Sequence, residues 1–131
     1  QYISGRAYQR RLKENLKSEN IKINNKNLSL EKIEREIKKQ KGIYYQTLEN
    51  MCKDLAILLE NLKNAVDYDL CILGGSFSAY QNIILKLINK YSRNFQNKYL
   101  QKSEFKFSHY QNKAGVIGAA VMVFKENRKQ D

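Results

Sequence analysis

Apolar residues recur along this chain at two periods, and the switch between them marks out its elements. From Ser4 to about Leu16, the positions Ala7, Tyr8, Leu12 and Leu16 share one side of a short basic helix, and Ser4 is placed to cap its first turn. The polar stretch KSENIKINNKN breaks that helix. Ser29 caps a second one, reaching Gln40, with Leu30, Ile33 and Ile37 at helical spacing and Gly42 as its stop signal. The longest pattern runs from Tyr45 to about Val66. There Leu48, Met51, Cys52, Leu55, Leu58, Leu59, Leu62 and Val66 return every three or four positions, which predicts one long amphipathic helix.

The period then changes. Leu70-Cys71-Ile72-Leu73 is a continuous apolar run between the turn residues Asp67-Tyr68-Asp69 and the pair Gly74-Gly75, the pattern of a strand covered on both faces. Helix returns from about Ala79 to Phe95, with Ile83, Ile84, Leu87, Ile88, Tyr91 and Phe95 as its buried stripe. In EFKFSHY, Phe105 and Phe107 alternate with Lys106 and Ser108, as in a half-buried strand. A last helix begins near Ala114, and Gly115, Gly118, Ala119 and Ala120 keep one of its faces narrow enough for close approach to a neighbouring backbone.

The order of elements is an α/β alternation with connections long enough for parallel crossovers. Two strands leave unpaired edges and uncovered faces, so further strands are expected in a preceding part of a longer parent chain. The sequence does not begin with Met and has no Pro, which fits the same expectation. At 131 residues and 42% hydrophobic it can bury the core of one domain. No stretch of about 18 apolar residues is present, so neither a membrane span nor a signal peptide is predicted. Cys52 and Cys71 have no metal-binding or disulfide spacing and read as core residues of a protein in a reducing cytoplasm. The net charge of +11 is compatible with an anionic partner. However, the lysines are scattered along the sequence, and no helix-turn-helix, zinc-finger or aromatic RNA-binding signature accompanies them, so direct DNA binding by this segment is not the expected reading.

Chemistry is most concentrated at Gly74-Gly75-Ser76. In an open α/β sheet, ligands bind beyond the carboxyl ends of the strands, where loops lead into helices, and this triplet sits there. Without side chains at 74 and 75, a flat base or a phosphate can touch the backbone, and amides near the next helix could donate to an anion. A tight strand-to-helix turn would ask for the same glycines.

The segment DYDLCILGGSFS, followed by NKAGVIGAAVMVF, with a long amphipathic helix before it and YISGRAY near the start, resembles the C-terminal part of the ROK family of bacterial sugar kinases and sugar-responsive transcription regulators. The resemblance runs from Tyr2 to Phe124. It implies part of the larger, C-terminal lobe of an actin-like ATPase (ribonuclease H-like) fold over residues 1–131, with the N-terminal lobe absent. Asp67 to Ser78 matches the family's Asp-Pro-x-x-Ile-x-Leu-Gly-Gly-Gly-x-x-Ser, whose glycines lie against the adenosine of ATP in the kinases. Gly74, Gly75 and Ser76 are therefore the implied nucleotide-side residues, with Tyr68 replacing the usual Pro and Ser76 the usual third Gly. Ala114 to Ala120 matches a structural Ala-Gly-x-x-Gly-Ala-Ala helix. Ser4-Gly5 matches the Ser-Gly that follows the family's zinc-binding Cys-rich motif and its sugar-contacting Glu.

By the same resemblance, the phosphate-binding loop, the catalytic Asp, the structural zinc and the sugar ligands all lie upstream, so no catalytic or metal-binding residue is expected here. An intact kinase would use ATP and Mg²⁺ to phosphorylate a hexose hydroxyl and would form a homodimer. The alternative is the effector-binding and dimerisation part of a sugar-responsive repressor, which would touch DNA only through a separate N-terminal domain. A third reading is a small interaction domain without a ligand. Other candidates carry less. Asp54 falls on the polar side of the long helix, and Asp67 and Asp69 are turn residues. His109 has no partner spacing that would make it a base or ligand. Tyr44-Tyr45 suits the packing of a helix entry, and EKIEREIKK a solvated face.

Overall fold

The computed structural model describes residues 4–92, 104–110 and 113–127. Along the chain run α1 (Gly5–Ser18), α2 (Leu30–Lys38), α3 (Gly42–Val66), β1 (Leu70–Leu73), a 3-10 turn (Ser76–Tyr80), α4 (Gln81–Ser92), β2 (Glu104–Phe107) and α5 (Ala114–Asn127). The two predicted caps form. Ser4 Oγ accepts the amide of Ala7, and Ser29 Oγ accepts that of Lys32, so each satisfies a donor that a helix start leaves open. The stop of α2 differs from the expected one. Gln40, at φ 52, takes the left-handed position, and Gly42 opens α3 instead.

The core lies where α1, α2 and α4 pack on α3. Tyr8, Leu12 and Leu16 of α1, Ile33 and Ile37 of α2, Leu48, Met51, Cys52 and Leu59 of α3, and Ile84, Leu87 and Ile88 of α4 form one buried cluster. Each fully buried aliphatic side chain contributes about 1.5–3 kcal/mol relative to exposure. Polar groups inside the cluster are satisfied. Thr47 Oγ1 donates to the carbonyl of Ile43 at 2.7 Å and accepts Asn15 Nδ2 at 2.8 Å. Tyr8 donates to the carbonyl of Tyr44, and Tyr44 in turn to that of Asn27, both at 3.0 Å. Burial pushes both phenols above their usual range. Tyr44 thus packs the entry of α3, as the sequence implied.

The sheet is two parallel strands in register Leu70↔Glu104 to Leu73↔Phe107, reached by the α4 crossover. Cys71, Leu73, Phe105 and Phe107 turn toward the helices. On the other face Leu70 and Ile72 are 44% and 64% exposed. Among the described residues, coverage of β1 on both faces is therefore not seen, because the helical cluster packs on the Cys71 and Leu73 side only. Along the predicted α3 stripe Leu48, Met51, Cys52 and Leu59 are buried, whereas Leu58, Leu62 and Val66 are exposed, contrary to the predicted pattern. The narrow face of α5 also departs from expectation. A Cβ added at Gly115 or Gly118 would meet no atom within 4 Å, and Val116, Val121 and Met122 are exposed. Phe95 lies outside the described residues.

Candidate functional site

Parallel strands end on the same side of a sheet, so the residues that follow them share one rim. Here Leu73, Gly74, Gly75 and Phe107 supply that rim, and α3 closes the floor with Met51, Cys52 and Leu55. The opposite wall comes from the distant start of α1, Ser4 and Gly5. Together they enclose a cavity of about 390 Å³ with largely apolar walls. That volume and lining suit the flat, weakly polar part of a ligand.

Gly75 has φ 98 and ψ −167, a conformation essentially closed to residues with a Cβ. No atom lies within 4 Å of the position a Cβ would take, so backbone geometry and not crowding demands the glycine, and its flank is open. Its carbonyl is held from the other side. Ser78 donates to it with its amide at 3.2 Å and its hydroxyl at 2.6 Å, and Ser78 is buried. The amide of Ser78 is therefore already engaged. The 3-10 turn also sets the start of α4 back from the glycines. Ser76 heads the turn, and its side chain is outside the described residues.

The approach to β1 is fixed by a second cluster. Asp67 caps α3 in the left-handed conformation, φ 47 and ψ 50. Lys63 is only 3% exposed; its Nζ meets Asp67 Oδ1 at 2.7 Å and donates to the carbonyl of Tyr68. The Tyr68 hydroxyl donates to the carbonyl of Leu59 at 2.8 Å. A proline at 68 would drive residue 67 out of the left-handed region. Tyr68 allows that cap and ties the turn back to the helix with hydrogen bonds.

The remaining candidates lie elsewhere. Burial pushes the Cys52 thiol up to about 12, so it lines the cavity as a small apolar group and not as a nucleophile. Cys71 is half-buried, and both cysteines are free. Asp54 pairs with Arg11 at 2.6 Å on the surface. His109 is exposed against the edge of Tyr110 and does not line the cavity. Among the described residues no group of three or more His, Cys, Asp or Glu could hold a metal ion, and no helix is long and apolar enough to cross a membrane. Sequence reasoning overlooked Ser78 as the clamp on Gly75 and Lys63 as a buried cation. It also had no signal that Ser4-Gly5 would face Gly74-Gly75.

A family model described as the ROK family matches residues 1–126. Among solved structures the chain is similar to a ROK family glucokinase from Streptomyces griseus, solved in complex with glucose and AMPPNP, at 21% identity and a TM-score of 0.79. The match covers 93% of this chain and 43% of that one, so the chain spans less than half the length of that relative. No curated protein matches the sequence. The likeness carries the fold, which is α/β of the actin-like ATPase (ribonuclease H-like) type.

Proposed function

The chain belongs to the ROK family, and from that membership we propose that it forms the C-terminal portion of the larger lobe of an ATP-dependent hexose kinase. Gly74, Gly75 and Ser76 line the nucleotide side of its cleft. The observation that carries this reading is the cavity at the strand ends, where Gly74-Gly75 and Ser4-Gly5 meet across apolar walls. The glucokinase it resembles in fold was solved with a nucleotide analogue and a sugar, which supports the same pair of ligands here.

The residues present fit one part of the nucleotide. An adenine ring gains from the apolar floor of Met51, Cys52 and Leu55, and the open flank of Gly75 admits it close to the backbone. ATP, when bound, supplies the phosphoryl group, with Mg²⁺ balancing its charge. Nothing among the described residues is arranged to hold the metal. The role of this chain is thus to bind and orient the base and to exclude water from it. The base that deprotonates the sugar and the zinc ligands belong to the rest of the intact protein. A homodimer and a cytoplasmic location accompany the proposal.

Calorimetric titration of the intact protein with ADP and with glucose tests it. Gly74→Val fills the cavity from the rim, and its ADP affinity is expected to fall by about tenfold, the loss of roughly 1.4 kcal/mol, with sugar binding retained. Sugar binding without any ADP binding in the parent would overturn the kinase reading in favour of a sugar-responsive regulator.

A further inference from the structure

Helix α1 carries a line of cations that no described residue compensates. Arg6, Arg10, Lys13 and Lys17 are all exposed, and at 3.6 residues per turn they fall within an arc of about 60° along roughly 17 Å of helix. Glu14 flanks the line as the helix's one carboxylate. None of the four enters an ion pair among the described residues. The contrast with α2 is direct. There Lys32 and Lys39 bind Glu36, and Lys38 binds Glu34.

The line works against its own helix. Arg6–Arg10 and Lys13–Lys17 are like charges at i,i+4, an arrangement that destabilises a helix. Arg6 also sits in a first turn that has no acidic residue to offset the positive end of the helix. Only Lys17, in the last turn, is placed as helix stability asks.

We propose that this face of α1 is a docking surface for the phosphodiester backbone of a nucleic acid. A straight row of single-sign charges, with no apolar group among them, suits a regular polyanion whose binding is driven by counterion release. An anionic membrane is the poorer fit, because the apolar residues of α1, Ala7, Tyr8, Leu12 and Leu16, are all buried in the core and none can enter a bilayer. The sequence shows the cations only as scattered positions; the helix gathers them on one face. This surface is independent of the nucleotide cavity and of the kinase reading.

The test is fluorescence anisotropy of a labelled 20-base-pair duplex of arbitrary sequence with the full-length protein. Four phosphate contacts give an affinity that falls on the order of 100-fold between 50 and 200 mM salt. The variant R6Q/R10Q/K13Q/K17Q should bind about tenfold or more weakly at low salt, with a flattened salt dependence. The control K22Q/K26Q/K41Q/K53Q removes the same charge from exposed positions elsewhere and should stay within about threefold of the parent. Far-UV circular dichroism checks the fold, and R10Q/K13Q is the milder variant if the quadruple one fails it. Equal losses in variant and control would reduce the effect to net charge and overturn the proposal. So would absence of duplex binding, including the case in which phosphatidylserine vesicles capture the protein instead.

Discussion

The first half of α3 and its second half carry the same apolar spacing and meet different fates. Leu48, Met51 and Cys52 are sealed under α1, α2 and α4, and Leu48 is 0% exposed. Beyond them Leu62 and Val66 are 45% and 68% exposed, next to a strand whose Leu70 and Ile72 are uncovered as well. Periodicity states which face of a helix is apolar; a neighbouring element decides whether that face leaves water. The closed region is a finished core, and the open one is a surface with the composition of an interior.

The sharpest way to break this comparison is to truncate one leucine from each half. Leu48→Ala should cost about 2–5 kcal/mol in urea unfolding, and Leu62→Ala no more than about 0.5 kcal/mol. Similar losses for the two would show that the open region packs in solution as tightly as the core. A smaller effect is expected at the rim between the regions. Gly75→Ala forces a Cβ into a conformation reserved for glycine and should cost roughly 1–3 kcal/mol, with the loss seen in thermal melts regardless of any ligand. The smallest effect lies on the closed side. Glu49 bonds Lys90 at 2.9 Å and Tyr91 at 2.8 Å, and these bonds hold its carboxyl below the ordinary carboxylate value. Because the folded value is the lower one, the stabilisation is present above the unfolded value and is lost as pH falls through the folded one. Glu49→Gln should flatten that acid limb in melts recorded as a function of pH, and an unchanged limb would assign it to other carboxylates.

Much of the fold was legible because local rules decided it. The caps at Ser4 and Ser29, the helices they start, and the two strands all follow from residues within a few positions of one another. The missed features depend on distant partners. Leu58 and Leu62 read as core because nothing nearby reports that no described element covers them. Lys63 gave no signal in the sequence, and its burial rests on Asp67 and the Tyr68 carbonyl arriving together at the turn. Within the candidate site, Gly74-Gly75-Ser76 was singled out by its place after a strand, and its nucleotide role by resemblance. Ser78 was within the quoted motif, yet its bonds to Gly75 appear only once the turn is formed. That Ser4-Gly5 completes the cavity is a product of α1 packing on α3, which no local pattern records.

The pairing of β1 with β2 also sets a timetable. Leu70 finds Glu104 only after the whole of α4 has been laid down between them, whereas the turns of each helix close within a few residues. A parallel pair cannot zip up from a tight hairpin, and the entropy of closing that loop must be met before its contacts reward it. The individual helices are thus expected to form before the strand-end rim that carries Gly74 and Gly75. The amides of the glycine rim would then exchange with solvent sooner than those of the helical core, and a ligand seated there would slow that exchange.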